Sequence, residues 1–112
     1  MDSNKNNNAY KKITENPIIL DFAGCKHLRE IHKILKVKFG LPEFYGENSN
    51  ALWDLLQGIF DNMGDVKVEI HNFNKLEKTL KEATAELLEV LDDVAEETPN
   101  FSYEFKEWNL WK

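Results

Sequence analysis

The sequence predicts a small α/β domain with three short parallel strands packed with about four helices, and three observations lead to that fold. Two short segments alternate apolar and polar residues, and a third is a nearly continuous apolar run, the patterns of β-strands. Between them lie stretches whose apolar residues recur at helical spacing. Strands separated by helices need crossover connections, which make neighbouring strands parallel. A chain of 112 residues, 42% of them hydrophobic, has room for one core and no second domain.

Residues 1–15 begin with an Asn- and Lys-rich stretch holding almost nothing apolar, and are expected to form a disordered tail before a domain over residues 16–112. The run Ile18–Phe22 is β-branched at its start and apolar almost throughout, as in a central strand covered on both faces. After Gly24, the spacing of Leu28, Ile31, Ile34, Leu35 and Phe39 predicts an amphipathic helix, closed by Gly40 in the C′ position and by Pro42. A second helix is predicted from Asn48, a good N-cap, to about Asp61. Gly64 and Asp65 break the chain before Val66–Ile70, whose strict alternation predicts a strand with one buried face. A short helix over 74–80 and the longest helix over 81–97 follow, stopped by Pro99 and Asn100, before an alternating last strand, Phe101–Phe105. Trp108 and Trp111 are expected to pack over the sheet or the helices, or else to serve as an exposed adhesive patch.

Charge separates the function classes. The chain carries 14 Lys and Arg against 20 Asp and Glu, a formal net charge of -6. Glu43 to Asp61 contains four acids and no base, and Glu82 to Glu97 contains seven acids and again no base. Those windows hold -11, so the remainder carries +5, much of it between Lys26 and Lys38, where five basic residues accompany one Glu. An acidic balance argues against direct nucleic-acid binding, which needs clustered Lys and Arg to meet phosphates. A charged partner should be basic. No apolar run reaches the roughly 20 residues of a membrane span and the N-terminal stretch lacks the apolar core of a signal peptide, so a cytoplasmic chain without membrane contact is expected. Cys25 is the lone cysteine and reads as a free, buried thiol.

Nothing in the pattern suggests catalysis, a cofactor or a metal. His27 and His32 do not share a helix face, His71 has no Cys or His at metal-ligand spacing, and all three read as surface histidines. Asp92 and Asp93 are adjacent and so point in different directions on a helix. Neither a Gly-rich phosphate loop nor a nucleophile motif is present.

The second helix is the informative element. Successive residues placed 100° apart put Ala51, Leu52, Leu55, Leu56 and Ile59 in one arc of about 140° facing the core. Asn50, Asp54 and Gln57 lie opposite, with Trp53 at the border. A tryptophan there is either a binding anchor beside a charge, or a side chain folded over the helix edge against Phe44 or Tyr45. The preceding loop ends its aromatic pair with Gly46, expected to supply the positive φ of the turn.

Taken together, Leu41 to Gly58 closely resembles the signature of the barstar family of ribonuclease inhibitors, through Glu43, Tyr45, Gly46, Glu47, Asn48, Ala51, Leu52, Trp53, Asp54, Leu56 and Gly58. The resemblance extends from about Pro17 to Phe105 and implies an inhibitor that plugs the active-site cleft of a barnase-type ribonuclease with its acidic helix and aromatic loop. It implies that Asp54 occupies a phosphate position, Asp93 is a second acidic contact, Phe44 and Tyr45 are the loop aromatics and Trp53 is the wall beside Asp54. Asn48, Asn50 and Gln57 complete the expected partner-binding set. The implied partner is a basic, extracellular-type ribonuclease, and the free chain is expected to be a monomer. Asn50 stands where the best-known family pattern has an acid, Phe44 lacks a tyrosine hydroxyl and Ile59 replaces a bulky aromatic. These departures suit a shifted target, and an acidic module that neutralises or regulates a different basic protein or toxin is the alternative reading.

Overall fold

The structure, a computed structural model, describes residues 10–106. Three parallel strands, β1 (Ile18–Asp21), β2 (Val66–His71) and β3 (Phe101–Lys106), form one sheet in the order β1-β2-β3. The register sets Ile18 opposite Val68 and Val68 opposite Tyr103. Three α-helices fill the crossovers: α1 (Leu28–Lys38) and α2 (Ser49–Leu56) before β2, and α3 (Lys78–Glu97) before β3. Among the described residues the number is three, not four, because the short helix expected over 74–80 is a single 3-10 turn, Phe73–Lys75. Leu76 is extended and Glu77 caps α3 by accepting from the Leu80 N–H at 3.2 Å, so the long helix starts three residues earlier than predicted.

The sheet has one buried face. Ile18, Leu20, Val66, Val68, Ile70 and Phe101 join the core with Phe22, Leu35, Leu52, Leu56 and Leu91. The outer face is polar: Glu104 pairs with Lys67 at 2.9 Å and with Lys106 at 3.1 Å, and the Glu69 carboxylate lies 3.1 Å from His71 Nε2. Two expectations for β1 are therefore corrected. The strand is an edge strand, and only one of its faces is buried, with Asp21 exposed. An apolar run of four or five residues reports burial without reporting position in the sheet. The central place belongs to β2, whose alternation matches a sheet with one wet face.

Helix α1 ends as its sequence predicts. Gly40 adopts φ +64°, its N–H donates to the Val37 carbonyl and the Leu41 N–H to the Lys36 carbonyl, the paired bonds of a Schellman motif. The Gly40 carbonyl also receives the Lys11 N–H at 2.7 Å, and Tyr10 Oη donates to the Leu55 carbonyl at 2.6 Å. Residues 10–15, placed by their composition in a tail, thus run against the body, with Ile13 packed on the core. Cys25 is free, as expected, but half-buried. Trp108 and Trp111 lie outside the described residues. Among the described residues no helix is long and apolar enough to cross a membrane.

Candidate protein-binding surface on helix α2

The loop from Leu41 to Asn48 delivers the chain from α1 to α2. Leu41 is buried, and a turn closed by the Tyr45 N–H on the Pro42 carbonyl at 3.1 Å sends consecutive aromatics to opposite sides. Phe44 is 60% exposed, while Tyr45 is only 6% exposed and directs its hydroxyl to His32 Nδ1 at 2.7 Å. The two rings lie 5.6 Å apart.

This geometry corrects two expectations. His32 is a buried residue at 4% exposure, not a surface histidine. Tyr45, expected as an exposed loop aromatic, is buried and anchors the loop to the core. Burial holds the His32 pKa below its ordinary value, against the opposing pull of the Glu47 carboxylate. The same burial, reinforced by Glu47, raises that of Tyr45, so the pair is a neutral hydrogen bond at physiological pH.

The positive φ expected at Gly46 falls instead on Glu47, at +57°. Gly46 lies against the start of α2, where a Cβ would meet that of Ala51 at 3.4 Å, an ordinary van der Waals contact. Asn48 caps α2 as predicted: its Oδ1 accepts from the Ala51 N–H at 2.8 Å and its Nδ2 donates to the Gly46 carbonyl at 3.3 Å. The helix stops at Leu56, well short of Asp61. Gln57 is extended and Gly58 takes φ +77°, turning the chain so that Phe60 enters the core.

On α2 and the turn that follows it, Leu52 and Leu56 are buried and Ala51, Leu55 and Ile59 are partly buried against them, whereas Asn50, Asp54 and Gln57 are exposed. Trp53 is half-buried. It lines a depression of about 340 Å³ with Gln57 and Asp61 on one side and Val94, Glu97 and Thr98 of the α3 end on the other. Trp53 is therefore set into the junction between the two helices, with part of its ring in solvent. Residues Asp61 and Glu97 were not singled out from the sequence, because only the packing of α2 on α3 brings them to Trp53.

Asp92 and Asp93 divide as helix geometry requires. Asp92 accepts a hydrogen bond from Tyr103 Oη and so belongs to the junction with β3; burial and that carboxylate push the Tyr103 hydroxyl up to about 12. Asp93 is exposed. Among the described residues neither Asp54 nor Asp93 has an ion-pair partner. The surface thus presents unpaired carboxylates, one exposed aromatic and one half-buried indole. Among the described residues no group of three or more His, Cys, Asp or Glu is placed to hold a metal ion.

Of the missed residues, His32 had a legible signal. It falls four residues after Leu28 and three before Leu35, within the apolar stripe of its helix.

The fold is a small α/β domain whose short capped helix α2 exposes Asp54, with Phe44 exposed on the loop before it. Comparison with known proteins supplies the family. Residues 16–107 match the profile of the Barstar (barnase inhibitor) family, and the chain belongs to that family. It is 33% identical over 80 residues to a Bacillus subtilis (strain 168) protein named "Putative ribonuclease inhibitor YrdF", covering 71% of this chain and 86% of that protein.

Proposed function

We propose that this chain inhibits a basic, barnase-type ribonuclease in the cytoplasm by stoichiometric binding, seating α2 and its preceding loop in the enzyme's active-site cleft. The observation that carries this reading is Asp54: exposed, without an ion-pair partner among the described residues, and one residue from the half-buried Trp53. A cleft that holds RNA phosphates with Arg, Lys and His will equally hold carboxylates, through charge-assisted hydrogen bonds. Asp54 fills the phosphate position and Asp93 supplies a second charge. Phe44, Asn48, Asn50, Trp53 and Gln57 provide the surrounding contact, and Tyr45 with His32 holds the loop in place. The chain turns over no substrate.

Titration against a barnase-type ribonuclease should drive activity to zero near equimolar inhibitor. Asp54→Ala should weaken binding by about 2–5 kcal/mol, the cost of leaving a buried cation of the partner unpaired, while changing stability by no more than about 1 kcal/mol. The control, Glu82→Ala, should affect mainly the association rate. Small and equal losses for both variants would remove Asp54 from the centre of the contact. Asn50 and Ile59 favour a target that differs from barnase; capture of a basic protein other than a nuclease, with no inhibition in the titration, would establish the regulatory alternative.

A further inference from the structure

The acidic surface leaves unexplained the basic run from Lys26 to Lys38, which the structure resolves into two parts. Lys36 and Lys38 are neutralised, by Glu43 and Glu15 respectively, each at 2.8 Å. Lys26, Arg29 and Lys33 are exposed and form no ion pair with a described residue. Arg29, Lys33 and Val37 recur every four residues and form one stripe on α1. Val37 is 66% exposed. Beside that stripe runs an open groove of about 450 Å³ with Ala23, Cys25, Ile34 and Val37 among its apolar lining and Lys33 and Lys38 at its rim. Its one acid, Glu30, is already engaged by the backbone N–H groups of Lys26 and His27, at 2.6 and 3.0 Å.

We propose that this groove receives the acidic face of a second copy of the chain, head to tail. The occupant must be acidic, to match unpaired Arg29 and Lys33, and must carry an apolar anchor, to fill an aliphatic floor. An RNA strand matches the first requirement but not the second, since no aromatic side chain of the groove offers a platform for stacked bases. The chain itself offers both: base-free windows holding -11 by sequence, of which Glu43 alone is engaged by lysines of the described residues, and Phe44, which lies within the first window and is 60% exposed. Net charges of -6 on each copy repel, but screening decides the balance. The Debye length at physiological ionic strength is about 8 Å, shorter than the roughly 13 Å radius of gyration of such a domain, so charges in contact outweigh charges across the molecule. Dilute chain is a monomer; association sets in as concentration rises. It occupies the same acidic face that a basic enzyme would, and it does not rest on the ribonuclease reading, since it needs only the two surfaces of this chain.

Sedimentation equilibrium from about 10 µM to about 1 mM tests the proposal. The weight-average mass should climb with concentration and fall back when salt is raised to about 1 M, where the Debye length is about 3 Å. Because a head-to-tail contact need not close, masses above a dimer are expected at the upper end. Arg29→Ala/Lys33→Ala removes the charge of the groove and keeps the acidic face; Asp54→Ala/Asp93→Ala does the reverse. Each alone should weaken association at least tenfold, and the two mixed should form a pair that stops at the dimer. Circular dichroism confirms that both variants are folded. A constant monomer mass across the range, unimpaired association of the groove variant, or a mixture that stays monomeric would each overturn the proposal. So would a single-stranded RNA oligonucleotide that binds the groove while the chain alone does not associate.

Discussion

The hydrogen bond between Tyr45 and His32 makes a prediction in which structure, pH and recognition meet. Both residues are buried and their contact is 2.7 Å, so Tyr45→Phe leaves His32 Nδ1 in the core without a partner. An unsatisfied buried polar group costs about 1–3 kcal/mol. Each kcal/mol lowers Tm by about 4–8 °C for a domain of this size, so Tm should drop by about 4 °C at least. His32→Leu/Tyr45→Phe removes both polar partners together, and its loss should be smaller than the sum of the single losses by about 0.5–3 kcal/mol. The pH dependence follows from the same geometry. The unfolded imidazole titrates near about 6.5, and burial places the folded value below that. Between the two the unfolded chain binds more protons, so stability is full above about 6.5 and is lost as pH falls toward the folded value. The slope from this one group is at most about 1.4 kcal/mol per pH unit. Glu15 and Asp21, whose pKa values are lowered mainly by hydrogen bonds from Lys38 and Asn72, act only below about 4.5, outside that window. Urea unfolding from pH 8 to pH 5 reads the effect, and in His32→Leu this contribution to the slope should be gone. An unaltered slope in that variant, or a Tyr45→Phe loss under about 0.5 kcal/mol, would refute the reasoning.

Three other perturbations have defined outcomes. Asn50→Asp sets a second acid four residues before Asp54 and should cost the free helix a few tenths of a kcal/mol, while tightening binding to barnase by about 1.5–3 kcal/mol; calorimetric titration gives the sign, and an unchanged affinity places residue 50 outside the contact. Gly40→Ala puts a Cβ 2.2 Å from the Lys11 carbonyl oxygen at φ +64°, so it should destabilise by more than about 1 kcal/mol and open the backbone around Lys11 to proteolysis. Glu96→Lys replaces an exposed acid at the C-terminal end of α3, where the helix dipole favours a cation, and should raise stability by about 0.3–1 kcal/mol while slowing association with a basic enzyme.

Features decided by near neighbours in the chain are legible in the sequence itself. The alternation of Val66–Ile70, the Asn48 cap, the Gly40 terminator, the stop at Pro99 and the separation of charge all follow from periods of about two or four residues and from single-residue φ preferences. The pattern around Asp54 carried the family with it. Tertiary structure alone decided the rest, because each remaining feature depends on residues far apart in sequence. The central place of β2 requires pairing on both sides, with Ile18–Asp21 and with Phe101–Lys106. The early end of α2 allows Phe60 to stack on Phe101, with ring centroids 4.9 Å apart. Tyr45 leaves the surface because a histidine thirteen residues earlier waits in the core for its hydroxyl, and the left-handed turn falls on Glu47, not on Gly46. A local pattern specifies which faces are apolar; which apolar face meets which, and therefore which polar groups remain in water to meet a partner, is settled only when the whole chain closes on its core.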